Sequence, residues 1–364
     1  MMRRLRLSHS AWKRLAKKIN GQSSKLKWRT GLAYHLCGVA YSSLLSLQNA
    51  SHTDALRTVT PYPPLFILGF WRSGTTLLHE LFCCDPQFGF PSTYACLNPS
   101  HFLLTEHWSK ARNTHLAVRP MDAMSYSWAS PQEDEFALFA LGAPSPYEAL
   151  IVPSLMREPR RLLDLRLSTS EEQRFWANAL QSFLRLLTVQ QRKTMVLKSP
   201  PHGFRLPLLL SLFPKARYVV IERNPYEVFV SNLKLWRTLL DLYAVESWTD
   251  EEIETFVLAA YLIHEEALTE GRRLVSSQRL ACVRYEDLIT DPIREMERLY
   301  GELDLLSFGQ VRESVEAYAR ANAGHRRNQF VMSREQKARI ESAWGPLMQA
   351  KGYYFPEQYL RLEN

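Results

Sequence analysis

Cysteine is scarce in this chain of 364 residues: it has five (Cys37, Cys83, Cys84, Cys96 and Cys282), an odd number with no Cys-X-X-Cys pair. Neither a disulfide framework nor a cysteine-ligated zinc site is indicated, and a reducing, cytoplasmic setting is expected. No His, Cys, Asp or Glu spacing typical of metal ligands is present, so no metal is expected. The apolar stretch from Leu32 to Leu47 is broken by His35, Ser42, Ser43 and Ser46. It therefore falls short of the roughly 18 to 20 clean apolar residues that a membrane-spanning helix needs. Repeats and low-complexity tracts are absent, and a composition of 46% hydrophobic and 23% charged residues excludes disorder, coiled coil and collagen-like arrays.

Acid is also missing from the first 53 positions, where Arg3, Arg4, Arg6, Lys13, Arg14, Lys17, Lys18, Lys25, Lys27 and Arg29 all precede Asp54. Without those ten charges the net charge of +8 becomes −2. The basic character thus belongs to an N-terminal arm, read as residues 1–60, and no nucleic-acid partner is expected. Within the arm Met1, Leu5, Trp12, Leu15 and Ile19 recur at roughly helical spacing among the basic residues. That pattern suits a basic amphipathic helix lying on an anionic membrane, and equally a helix packed on its own domain. A cleaved secretory signal fits poorly, whereas an acid-poor, Arg- and Ser-containing segment overlaps with organelle transit peptides.

From Pro61 the chain alternates strands and helices. Leu65–Leu68, Met195–Leu197, Tyr218–Ile221 and Arg279–Arg284 read as buried strands separated by helical patterns. The expected fold is α/β: a P-loop-like three-layer sandwich with a central parallel sheet flanked by helices, in one domain over 61–364. The irregular stretch around 98–170, rich in Pro, His, Trp and Ser, reads as a substrate-facing insertion.

Gly69-Phe-Trp-Arg-Ser-Gly74-Thr75-Thr76 has the spacing of a phosphate-binding loop at a strand-to-helix turn, where backbone N–H groups face an anion. The usual lysine after the second glycine is replaced by Thr75. Such a loop suits ATP with magnesium poorly, yet it can hold a single phosphate with Arg72 over the bond being broken. A second grip is Val219-Val-Ile-Glu-Arg223-Asn-Pro225, in which a strand delivers Arg223 to its carboxyl end and Ser231 follows about two helical turns on. Together they make a clamp for two separated phosphates.

These motifs resemble those of the sulfotransferases that use 3′-phosphoadenosine-5′-phosphosulfate (PAPS), in the bacterial-type branch similar to the tyrosylprotein enzymes. Leu197-Lys-Ser-Pro200, Pro131-Gln-Glu-Asp-Glu-Phe136 and Val283-Arg-Tyr-Glu-Asp-Leu288 also match, in order, and residues 1–60 are not covered. The resemblance implies PAPS as co-substrate and in-line transfer of its sulfuryl group to a hydroxyl of a small-molecule, lipid, carbohydrate or peptide acceptor. It implies that Arg72 steadies the sulfuryl group, that Ser73, Gly74, Thr75 and Thr76 hold the 5′-phosphate, and that Arg223 and Ser231 bind the 3′-phosphate. Tyr285 would contact the adenine and Lys198 the leaving phosphate.

A base must take the acceptor's proton. The branch carries a glutamate shortly after the loop, but Pro91-Ser-Thr-Tyr-Ala95 has no acid. The candidates are Glu133, then Glu135, with helix-dipole complementation as the structural alternative for that acidic run. His79, His202 and the Arg326–Arg327 pair read as structural or solvated before functional. Trp128, Tyr147 and Phe102 are candidates for an acceptor-pocket wall, and more often such aromatics are core. The rival readings are a P-loop kinase-like phosphotransferase and a non-catalytic nucleotide-binding protein at a membrane surface.

Overall fold

The computed structural model describes residues 6–19, 28–110, 115–118, 125–322, 330–356 and 360–363. Its centre is a parallel sheet of five strands: β1 (Leu65–Leu68), β2 (Phe88–Gly89), β3 (Thr194–Lys198), β4 (Arg217–Glu222) and β5 (Leu280–Arg284). The order across the sheet is β2-β3-β1-β4-β5. Registers such as Phe66 against Leu197 and Ile67 against Val219 align the carboxyl ends of the three central strands.

Alternate residues of β1 face opposite layers, because side chains of a strand point to alternate faces. Phe66 and Leu68 pack with Trp176, Leu180 and Phe183 of the long helix Ser170–Gln191. Leu65 and Ile67 pack with Leu78, Leu81 and Phe82 of the helix Thr75–Cys83, and with Met296 and Leu299 of the helix Pro292–Glu302. Both faces of the three central strands are covered, which is why those strands read as unbroken apolar runs, whereas the edge strand β5 alternates buried and exposed residues. The fold is therefore the α/β sandwich expected from the pattern.

Three departures refine that reading. Strand β2 has two residues, too few for any periodicity to reveal. The stretch 98–170 holds short helices, 3-10 turns and an antiparallel pair, His115–Val118 with Ser125–Ser127. The third concerns the basic helix, α1 (His9–Ile19), which does not present its apolar face outward. Ala11, Trp12, Leu15 and Ile19 are buried, and Ser8 N–H donates to Ala140 O at 2.8 Å. Arg14 pairs with Glu148 at 2.6 Å and with Glu172 at 2.7 Å, and Lys18 also pairs with Glu148. The apolar face of this segment is thus packed on its own domain, as one of the two readings expected. Met1 and Leu5 lie outside the described residues.

The apolar stretch after it forms α2 (Trp28–Ser51). Among the described residues no helix is long and apolar enough to cross a membrane.

Candidate active site

In a parallel sheet all strands end on the same edge, and that edge is where ligands of open α/β folds sit. Four adjacent strands here deliver the motif residues to it. Lys198 is the last residue of β3, the loop from Gly69 follows β1, Arg223 follows β4, and Tyr285 follows β5.

Two residues of the loop after β1 adopt left-handed backbone, which glycine takes freely and arginine rarely. Arg72 has φ 68° and Gly74 has φ 97°, and the helix begins at Thr75. A Cβ on Gly69 would sit 2.6 Å from Ser73 Oγ, and one on Gly74 would sit 2.3 Å from the ring of Tyr285. The two glycines therefore let the loop close on itself and let the tyrosine lie against it. The first N–H groups of the following helix face out of this turn.

Two clusters flank the loop. In the first, Arg72 Nε donates to Ser231 Oγ at 2.9 Å, and Arg223 Nη1 donates to the carbonyl of Arg72 at 3.1 Å. The Arg223 guanidinium lies over the Tyr285 ring, 4.4 Å from its centre, and pairs with Glu227 four residues on. Arg72, Arg223, Ser231 and Tyr285, far apart in the chain, are thus one contact group. In the second, Lys198 Nζ donates to Glu133 Oε1 at 2.9 Å and lies 3.4 Å from Thr76 Oγ1. The other oxygen of Glu133 accepts from the Tyr147 hydroxyl. Burial, reinforced by Glu133, pushes the Tyr147 phenol well above its ordinary value, so it remains a proton-bearing donor.

The second cluster is held by a buried bracket beneath it. Asp134 accepts from Ser199 Oγ at 2.8 Å and meets His202 Nε2 at 2.7 Å, while Ser199 Oγ also accepts the Glu135 N–H at 3.0 Å. Burial raises the pKa of Asp134, but His202 and the Ser199 hydroxyl outweigh it and hold the carboxyl below its usual value. The bracket joins the end of β3 to the turn before the helix Glu135–Leu141, which places Glu133 over Lys198.

Glu135, the second candidate base, points elsewhere. It is fully buried and pairs with Arg205 at 2.9 Å, and that guanidinium lies 4.9 Å from the centre of the Trp176 ring. The reason is local: Glu133 lies in the approach to the helix, whereas Glu135 is its first residue and turns into the core. Glu135→Gln would leave Arg205 as an uncompensated buried charge. The expected result is a loss of about 3–5 kcal/mol of stability in denaturant titration, with nucleotide affinity retained.

The remaining candidates among the described residues fall outside both clusters. His79 is buried with its ring edge toward Phe90, His202 belongs to the bracket, and Phe102 is core. Trp128 packs edge-on against Tyr94. Arg326 and Arg327 lie outside the described residues.

A match over residues 63–308 to the family described as the sulfotransferase family decides the matter. The chain belongs to the sulfotransferase family. This sulfotransferase is 34% identical over 346 residues to the omega-hydroxy-beta-dihydromenaquinone-9 sulfotransferase Stf3 of Mycobacterium tuberculosis, covering 94% of this chain and 89% of that one. Its fold is similar to that of sulfotransferase STF9 from Mycobacterium avium, with a TM-score of 0.64 at 17% identity over 96% of this chain and 98% of the other. Sulfotransferase STF1 from Mycobacterium tuberculosis superposes with a TM-score of 0.61 at 19% identity, over 85% and 87% of the two chains.

Two contacts of this sulfotransferase escaped the sequence reading. Glu227, in the first turn of the helix Pro225–Tyr243, pairs with Arg223 in the turn before it. Asn232 donates to the carbonyl of Trp71 at 2.8 Å and so ties the loop to the helix that carries Ser231. No pattern in the sequence marks that bond.

Proposed function

We propose that this sulfotransferase takes its sulfuryl group from PAPS, and that the acceptor is a hydroxyl-bearing lipid of the hydroxylated menaquinone class. The observation that carries the donor is a pair of buried polar atoms without a partner among the described residues, Ser73 Oγ in the loop after β1 and Arg223 Nε in the turn after β4. An orphaned hydroxyl and an orphaned guanidinium N–H cost about 1–3 kcal/mol each unless a ligand satisfies them. An anion with two separated phosphates suits both. The acceptor class rests on the 34% identical relative, whose name specifies an omega-hydroxy menaquinone derivative. Five unpaired cysteines support a reducing, cytoplasmic location.

In this reading Ser73, Gly74, Thr75 and Thr76 hold the 5′-phosphate, Arg223 and Ser231 hold the 3′-phosphate, and Tyr285 stacks on the adenine. Arg72 reaches the sulfuryl group, and Lys198 faces the oxygen that leaves. The donor supplies an activated sulfuryl group whose S–O bond to the 5′-phosphate breaks as the acceptor oxygen bonds to sulfur. Glu133 receives the acceptor's hydroxyl proton, with Tyr147 fixing the carboxylate. Positioning and cationic stabilisation then supply most of the acceleration, as in the phosphoryl transfer this reaction parallels.

Calorimetric titration with 3′-phosphoadenosine-5′-phosphate, without magnesium, tests the donor. Micromolar binding, about −8 kcal/mol, is expected. Binding of ATP with magnesium in its place would overturn the reading and favour a phosphotransferase-like use of the loop.

A further inference from the structure

The outward face of α2 is the surface that the rest of the fold leaves unexplained. Leu32, Leu36, Val39 and Leu47 are 50%, 60%, 45% and 54% exposed. At 100° per residue they fall, with Ser43, Ser46 and Ala50, within one stripe of the helix. No charged residue occurs between Arg29 and Asp54. A helix on the surface of a water-soluble domain normally carries its charges on the outer face. This one offers water only apolar, small and hydroxyl side chains there.

The orientation of the stripe is fixed by the opposite face. Tyr34 stacks on Trp12, Ser42 Oγ accepts the His9 N–H at 3.0 Å, and a Cβ on Gly38 would lie 3.1 Å from the Cα of His9. Farther along, buried Gln48 donates to Pro99 O at 3.0 Å and accepts the Leu103 N–H at 2.9 Å. The helix is bolted to the domain from Tyr34 to Gln48, so its leucines cannot turn inward.

Charge selects the occupant. Lys13 and Lys17 of the adjoining α1 are exposed, whereas Arg14 and Lys18 are consumed by Glu148 and Glu172. In sequence Lys25, Lys27 and Arg29 lead into α2, and no acid occurs before Asp54. An apolar stripe beside basic residues in an acid-free segment matches a leaflet with anionic headgroups, where leucines enter the acyl boundary and lysines meet phosphate. A second copy of the chain would bring the same uncompensated positive charge to the contact. We propose that the outer face of α2, flanked by Lys13 and Lys17, docks this enzyme on an anionic lipid surface. The lipid acceptor proposed above would give such docking a purpose, but the argument rests on the exposed face and its charge.

The test is co-sedimentation of the full chain with vesicles of phosphatidylcholine and phosphatidylglycerol in equal parts, containing no acceptor. The wild type is expected to partition onto these vesicles and to do so weakly onto phosphatidylcholine alone or at high salt. A Leu36→Glu, Val39→Glu double variant should lose about tenfold or more in partition, since each introduced carboxylate would face the headgroups. A Lys13→Glu, Lys17→Glu variant should lose less. Unchanged affinity of both variants for 3′-phosphoadenosine-5′-phosphate shows that they are folded, and it separates failure of this inference from failure of the donor assignment. Equal sedimentation of the wild type and the double variant overturns the proposal. So does a wild type that ignores vesicles, whether it is a dimer that the double variant dissociates or a monomer.

Discussion

Replacing Arg223 by alanine should weaken binding of 3′-phosphoadenosine-5′-phosphate by about a hundredfold or more, roughly two steps of 1.4 kcal/mol. Three losses add in the same direction. The first is the direct charge-assisted contact to phosphate, worth about 1.5–3 kcal/mol. The second is the bond from Arg223 Nη1 to the carbonyl of Arg72, a residue whose left-handed backbone aims its own guanidinium at Ser231. The third is electrostatic: Glu227 would be left buried and unpaired beside the site, where it repels a polyanion.

Two further variants separate these losses. Glu227→Gln on top of Arg223→Ala removes the repulsion and should recover part of the affinity. Arg223→Lys keeps the charge but not the planar fork that spans Tyr285 and the Arg72 carbonyl, and should recover less than the full amount. Full affinity in Arg223→Ala, measured by the same titration, would move the 3′-phosphate to another part of the strand edge.

What could be read from the residues alone follows a physical divide. Strands β1, β3 and β4 were legible because a strand buried on both faces must be apolar throughout, β5 because its buried Ala281 and Val283 alternate with exposed residues, and the loop because a turn this tight needs glycine at fixed positions. The first cluster was legible in its parts, since strand ends in a parallel sheet converge. Facing directions were not. Glu133 and Glu135 look equivalent in an acidic run, yet one meets Lys198 and the other Arg205, 65 and 70 residues away respectively. The periodicity of α1 showed that one face is apolar, but where it docks depended on Ala140, Glu148 and Glu172, which anchor the segment and are not local to it. Tyr147 was visible only as an aromatic, because its role comes from the oxygen it donates to rather than from its ring.

Glu133→Gln should lower kcat by a factor of about 10² to 10⁴ while donor affinity stays within a few-fold of wild type. The amide has the shape of the carboxylate and its carbonyl can still accept from Lys198, but it cannot take a proton. The proposed role suits its exposure: its side chain is 17% exposed at the edge of the cluster, whereas Lys198 is 3% exposed and Glu135 is sealed. A carboxylate that served only to hold Lys198 would behave differently. Its loss would free the ammonium, disturb the phosphate contact through Thr76, and weaken donor binding together with turnover. Tyr147→Phe divides the same question from the other side. It leaves the proposed base in place and removes one of its two anchors, so kcat should fall by about tenfold or less, the value of one net hydrogen bond. Rates measured at saturating donor, beside titrations of the same proteins, decide between the two accounts. A Glu133→Gln enzyme with wild-type kcat would leave the proton to another acceptor and reduce Glu133 to a positioning residue for Lys198.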